Sequence, residues 1–158
     1  MSTRPSSRGM WFDELVPGTV VQHAVRRTVT ETDNVLFTTM TMNTAPLHLD
    51  AAYAATTEFK KPLVNSMFTM ALVVGISVTE LTLGTIVAQL GVSDARFPAP
   101  IFTGDTIRVE TEVISARASK SRADAGLVVF EHRAFNQDDV LVCSLQRTGL
   151  MSKEPTDD

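Results

Sequence analysis

One short stretch, Asn43-Thr44-Ala45-Pro46-Leu47-His48-Leu49-Asp50, concentrates groups that can do chemistry. Imidazole exchanges a proton easily near neutral pH, so His48 is a candidate general acid or base. Pro46 stiffens the loop that carries it, and Asp50 is placed to cap a following helix. A lone histidine in a loop also serves as a hydrogen-bonded structural group, and spacing alone does not separate the two roles. Asn65 and Ser66 precede a long apolar run. They either cap a core helix or, in addition, offer its first backbone N–H groups to an oxygen that gains negative charge in a reaction. Lys60 and Lys61 lie just ahead of that helix, and Arg117, Lys120 and Arg122 fall between two late strands. Each can hold a phosphate or remain plain solvated charge. Arg147, inside the last strand, is a candidate partner for a carboxylate. Cys143 sits in an apolar strand and reads as a small buried side chain, while Met67 and Met70 read as core filler. His23 and His132 are strand residues with no partner visible in the sequence. No Cys/His cluster has metal-ligand spacing, and no glycine-rich loop is fitted to a nucleotide phosphate.

The elements that must position these groups follow from patterning. A chain of 158 residues with 44% hydrophobic and 20% charged residues supports one globular core. Its net charge of −4 argues against a nucleic-acid partner, and its single cysteine suits a reducing compartment. The longest apolar run, Met67 to Val78, is well short of a membrane span, and the N-terminus lacks a signal-peptide core, so a soluble cytoplasmic protein is expected. Residues 10–152 are expected to form a single domain between two flexible ends, Met1–Gly9 and Lys153–Asp158.

Val20 to Thr30 is rich in β-branched residues and predicts a first strand. Thr30 with Asp33 resembles a capping box for a helix from Glu31 to Thr39. The His48 loop follows, then a short helix from Ala51 to Thr57. A helix from Asn65 or Ser66 to about Leu81 is apolar on nearly every face, which predicts burial round most of its circumference. From Thr85 the hydrophobic period changes to two, giving strands at Thr85–Arg96, Thr106–Val113, Leu127–Phe135 and Val140–Leu150. The pattern is α+β, with an antiparallel sheet curled round a helix.

Pro46-x-His48-x-Asp50 followed by Ala51, Tyr53 and Ala54 resembles the signature of the MaoC-like dehydratases and (R)-specific enoyl-CoA hydratases. Trp11-Phe12-Asp13-Glu14-Leu15 with Pro17-Gly18, Thr28 to Asp33, Pro62 to Met67 and Phe97-x-x-Pro100-x-x-x-Gly104-Asp105-Thr106 match the same family in the same order. The resemblance implies a hot-dog fold, an antiparallel sheet wrapped round a long central helix, and a homodimer or higher homo-oligomer. It implies an acyl-CoA substrate, addition of water to an enoyl thioester or its removal, and no bound cofactor. It places catalysis on His48, with Ser66 giving a backbone amide to the thioester oxygen where the family has Gly. Asn65, Lys60, Lys61, Arg117, Lys120, Arg122 and Arg147 become the candidates for binding substrate and CoA.

The family's catalytic Asp falls on Asn43, and its usual Asn falls on Ala45. An amide cannot accept a proton at neutral pH, but it can orient a water. His48 then acts alone with Asn43 holding water, or Asp33 or Asp50 replaces the missing acid, or the site only binds acyl-CoA. A neutral Asn43 suits a substrate that carries its own carboxylate, as mesaconyl-, itaconyl- and methylmalyl-type thioesters do, and the chain resembles that subgroup. Hot-dog acyl-CoA thioesterases and non-catalytic acyl-CoA-binding partner subunits are the alternatives.

Overall fold

The computed structural model describes residues 8–156. Of the two expected flexible ends, residues 1–7 and 157–158 lie outside the described residues. Gly9 and Met10 are held by hydrogen bonds to the carbonyls of Leu83 and Leu81, and Lys153 N–H is held by that of Asp124.

After a 3-10 turn at Phe12–Glu14 come two short strands, β1 (Val20–Gln22) and β2 (Arg27–Thr28). Helices α1 (Glu31–Met40), α2 (Pro46–Leu49), α3 (Ala51–Thr56) and α4 (Ser66–Leu81) follow. Strands β3 (Ile86–Arg96), β4 (Thr106–Ala118), β5 (Ala125–Phe135) and β6 (Leu141–Ser152) complete the chain. The sheet is antiparallel in the order β1-β4-β5-β6-β3, with β2 also pairing β4. It curls round α4, which makes this a hot-dog fold.

Alternation sets the concave face. Ile107, Val109 and Val113 on β4, Val128 and Phe130 on β5, and Val142 and Leu145 on β6 are buried against α4, which turns Val73, Ile76 and Leu81 towards them. Burying such side chains stabilises by roughly 1.5–3 kcal/mol each, which secures the helix in the sheet. Gly126 admits the N-terminal turn, since a Cβ there would land in the Phe12 ring.

Two expectations need correction. The predicted first strand, Val20 to Thr30, is broken into β1 and β2 because His23 turns inward between them. The loop predicted around His48 is the helical turn α2, with Pro46 at its start, where proline's missing N–H costs nothing. Helix α4 is covered round most of its circumference, as expected, with one exposed stripe formed by Met67, Ala71, Gly75 and Thr79. Strand β3 is exposed at every residue after Ile86 and leaves one sheet edge open. Among the described residues no helix is long and apolar enough to cross a membrane.

The concave face also holds a polar chain. His23 Nδ1 lies 2.9 Å from Glu80 at the end of α4, and its Nε2 lies 2.8 Å from Thr111 Oγ1. Thr111 Oγ1 in turn lies 2.7 Å from His132 Nδ1 on the paired residue of β5. The Glu80 carboxylate can only accept, so it takes the Nδ1–H of His23. Thr111 O–H then donates to His23 Nε2, and His132 Nδ1–H donates to Thr111. Burial pushes His132 down to about 3, helped by the nearby Arg147 charge, and burial also lowers His23 against the pull of Glu80. Both histidines are thus neutral in the fold and protonate more readily in the unfolded chain, whose imidazoles titrate near 6.5. Their contribution to stability is complete above pH 6.5 and is lost as pH falls towards 3. Urea midpoints should therefore hold steady from pH 8 to 7 and fall below 6.5. In His132→Phe the slope between pH 6.5 and 5 should flatten by up to about 1.4 kcal/mol per pH unit. An unchanged slope in that variant would refute the assignment.

Candidate active site

Helix α1 begins at a complete capping box, in which Thr30 and Asp33 satisfy each other's backbone N–H groups. Its inner face carries Phe37, half-buried and edge-on to Phe68 at 5.7 Å, but its two buried residues are polar, Asn34 and Thr38. After α1 the chain turns through Met42, at φ +59°, into Asn43. Asn43 Oδ1 accepts the Ala45 N–H at 3.0 Å, so the carbonyl end of this amide closes its own turn. Its Nδ2 has no protein acceptor among the described residues, so what Asn43 retains to offer is a pair of N–H donors. It lines neither of the two cavities described below.

The α2 turn then presents His48. Its Nδ1 lies 2.7 Å from the carbonyl oxygen of Leu63, which can only accept, so the ring is the Nδ1–H tautomer and Nε2 keeps its lone pair. Leu63 is held in place by its own N–H, which donates to Leu47 O at 3.1 Å. His48 lines a cavity of about 280 Å³ together with Asn34, Glu31, Lys61 and Phe102. Lys61 Nζ stands 4.3 Å from the centre of the Phe102 ring and forms no ion pair among the described residues. Lys60 beside it is exposed, with φ at +63°.

A second cavity of about 300 Å³ lies beyond Leu63, bounded by Ser66, Thr69, Phe97, Ile101 and Val142. Its polar feature is the start of α4. Asn65 is the N-cap, extended at φ −60° and ψ 126°, and its Oδ1 accepts the Met67 N–H at 2.9 Å. Its own N–H donates to Asn34 Oδ1 at 2.9 Å. The Ser66 N–H between them has no protein acceptor among the described residues. Ser66 has a negative φ, so the position tolerates a side chain.

The structure thus brings His48 and Lys61 to one cavity and Ser66 to the other, with Pro62 lining the first and Leu63 the second, while Asn65 lines neither and acts as the cap behind Ser66. The two carboxylates considered as replacements for the missing acid are occupied elsewhere. Asp33 closes the α1 cap and pairs with Arg27, and Asp50 caps α3 through Tyr53 N–H. The carboxylate that does share the His48 cavity is Glu31, which the sequence marked only as part of the Thr28 to Asp33 helix start and not as a site residue.

Arg117, Lys120 and Arg122 are not brought to this site within one chain. They stand at the far end of the β4–β5 hairpin, eleven residues or about 36 Å of strand from Thr106. There Arg122 forks onto Asp124. Arg147 is also misplaced for a substrate carboxylate. It is 2% exposed, lies five residues along β6 from Val142, and sits over the Phe130 ring. Its Nε and Nη2, like His132 Nε2, meet no partner among the described residues.

A hot-dog domain with an oriented histidine beside a capped central-helix N-terminus defines the class. Residues 13–131 match the MaoC like domain model, and the chain belongs to that family. It is 28% identical over 145 residues to the β-methylmalyl-CoA dehydratase of Chloroflexus aurantiacus, covering 92% of this chain and 41% of that protein. It is 39% identical over 85 residues to the (R)-specific enoyl-CoA hydratase of Aeromonas caviae, covering 54% of this chain and 62% of that one. The unliganded R-hydratase PhaJ1 of Pseudomonas aeruginosa superposes with a TM-score of 0.76 at 32% identity, over 94% of this chain and 88% of the other. The chain therefore spans less than two thirds of the length of these two curated relatives.

The capping geometry yields a stability test. Asn65→Ala removes the cap and should cost about 1–2 kcal/mol in urea unfolding. Ser66→Pro should be neutral or stabilising by up to about 1 kcal/mol, because residue 65 is already extended and the lost N–H is unbonded. Equal destabilisation by both would contradict the placement of the helix start.

Proposed function

We propose that the protein is an acyl-CoA hydratase or dehydratase that adds water across the double bond of an enoyl thioester, or removes it. The observation that carries this reading is the division of labour across Leu63. Its carbonyl orients His48 with Nε2 free, and Leu63 also lines the cavity at which the start of α4 lies, with the unbonded Ser66 N–H. His48 Nε2 takes a proton from water as the water oxygen bonds to the β-carbon. The π electrons move onto the thioester, and the Ser66 N–H, with the helix dipole behind it, stabilises the resulting enolate oxygen. The proton on Nε2 then passes to the α-carbon, leaving His48 neutral again. Asn43, which lines neither cavity, is given the lesser role of orienting the water through its two free N–H donors. No bound cofactor takes part in these steps.

The finer reading is a branched dicarboxylic substrate of the mesaconyl, itaconyl or methylmalyl type. It is supported by the relative named β-methylmalyl-CoA dehydratase, whose acyl group carries a carboxylate. Lys61, an unpaired cation in the His48 cavity, gives such a carboxylate a partner. Asn43 removes a like charge that at ~4 Å and an effective dielectric near 20 would cost ~4 kcal/mol. The working protein is read as a cytoplasmic homodimer or higher homo-oligomer, and the long unpaired edge of β3 is what supports the oligomer. The neutral Asn43 also favours one alternative, a non-catalytic acyl-CoA-binding subunit.

Loss of the conjugated enoyl-thioester absorbance without release of free thiol, on crotonyl-CoA or mesaconyl-CoA, is the expected result. His48→Ala should reduce the rate by about 10²–10⁴-fold. Ser66→Pro should cost about 10²–10³-fold while Ser66→Ala stays near wild type, since only proline deletes the amide. Thiol release instead would identify a thioesterase, and binding without turnover a non-catalytic subunit. Asn43→Asp should lower kcat/KM for mesaconyl-CoA far more than for crotonyl-CoA. Unchanged or improved activity on mesaconyl-CoA would refute the charge argument.

A further inference from the structure

Asn34 reaches both halves of this site although no motif points to it. We infer that Asn34 is a positioning residue that locks His48 and the thioester-binding start of α4 into one rigid unit, an inference that rests on the hydratase reading above. The side chain is 3% exposed, and both ends of its amide are engaged. On the donor side, Nδ2 gives one N–H to Leu63 O at 3.1 Å and one to His48 O at 3.3 Å. Leu63 O is the same atom that accepts the His48 Nδ1–H at 2.7 Å. A carbonyl has two lone pairs, so both are used, and the oxygen cannot turn away from the imidazole without also breaking the bond from Asn34.

On the acceptor side, Oδ1 takes the Asn65 N–H at 2.9 Å and the Thr38 O–H at 3.4 Å. Thr38 Oγ1 in turn accepts Asn65 Nδ2 at 3.3 Å. These bonds hold Asn65 in its extended N-cap conformation, from which its Oδ1 reaches Met67 N–H and skips Ser66 N–H. The orientation of the Asn34 amide is unambiguous, because a flipped amide would set its oxygen against two carbonyls and its N–H groups against two donors.

The consequence is geometric coupling. A displacement of about 1 Å in a reacting group can cost roughly 100-fold in rate. In a site held by separate supports, the base and the thioester amide would wander independently. Here a shift of either drags the Asn34 amide, and with it the other. Asn34 itself lines the His48 cavity, but neither of its polar ends is free for a substrate.

Asn34→Asp tests this because it keeps an oxygen for Asn65 and Thr38 and loses the paired N–H donors. The sequence has three histidines, of which His23 and His132 are buried, so nitrogen-15 imidazole spectra assigned with His48→Ala read the His48 tautomer directly. Wild type should show the Nδ1–H form. Asn34→Asp should show admixture of the Nε2–H form, with kcat for crotonyl-CoA reduced about 100-fold and KM unchanged. Thr38→Val, a milder change that leaves the donor side intact, should lower kcat less, again with KM unchanged, and serves if the first variant does not fold. A folded Asn34→Asp protein with the wild-type tautomer and kcat, or with a raised KM alone, would reduce Asn34 to a structural tie and overturn the inference. Wild-type protein that hydrates neither thioester would sink the hydratase reading instead. The tautomer, which needs no turnover, would then still decide the role of Asn34.

Discussion

The hydrogen bond from Asn65 N–H to Asn34 Oδ1 is the contact on which the site depends. A helix begins with four N–H groups that have no intrahelical acceptor, and a helix start inside a protein must either satisfy them or present them. At α4 the Asn65 and Met67 N–H groups are satisfied, by Asn34 and by the Asn65 side chain. Those of Ser66 and Phe68 meet no acceptor among the described residues, and Ser66 is the one that lines a cavity together with Leu63. The supporting partner comes from α1, thirty-one residues earlier, so the start of α4 is built by tertiary contact as much as by its own capping residue. The same amide steadies the carbonyl that selects the His48 tautomer. One small polar side chain thereby decides which nitrogen of the histidine is bare and which amide of the helix is free.

The far end of α4 is held by different physics. Glu80 receives the N–H of His23 and the backbone N–H of Ala24, and a line of hydrogen bonds passes through Thr111 to His132. Arg147 stands beyond, its guanidinium over Phe130 and drawn down to about 10 by burial. The negative and positive ends of this line lie on opposite sides of two neutral imidazoles, an arrangement far more sensitive to protonation than an apolar core of the same volume. Helix α4 is thus pinned by neutral amides at its functional end and by a titratable chain at its structural end.

Much of this was legible in the residues. The capping box at Thr30 and Asp33, the caps at Asp50 and Asn65, and the period-two strands are local features, determined by contacts within a few positions, and they lie where the pattern places them. The family could also be recognised, because Pro46-x-His48-x-Asp50 and the flanking turns recur in order, and the family match over residues 13–131 agrees. Helix α1 shows where legibility fails. Its apolar residues Val35, Leu36 and Met40 are exposed, and its buried residues are Asn34 and Thr38. Amphipathic patterning assigns the opposite face, because it assumes that the interior is apolar, and the interior beneath α1 is a set of backbone polar groups needing partners.

Long charged side chains mark the other limit. Lys61 and Arg122 look alike in sequence, yet one stands in the His48 cavity against Phe102 and the other pairs with Asp124 at the tip of a distant hairpin. Arg147 reads as a partner for a substrate carboxylate and is buried away from the His48 cavity, because β6 is an inner strand and residue 147 falls on its concave face. By itself, then, the sequence determined the fold class, the starts of α1, α3 and α4, and the family, all of which rest on local geometry or on ordered motifs. Only the tertiary structure decided which tautomer His48 adopts, which amide of α4 is free and which cation stands near the histidine. Those depend on residues brought together from α1, α2, the Pro62–Leu63 segment and α4, and distance in space is not encoded in the spacing of any one of them.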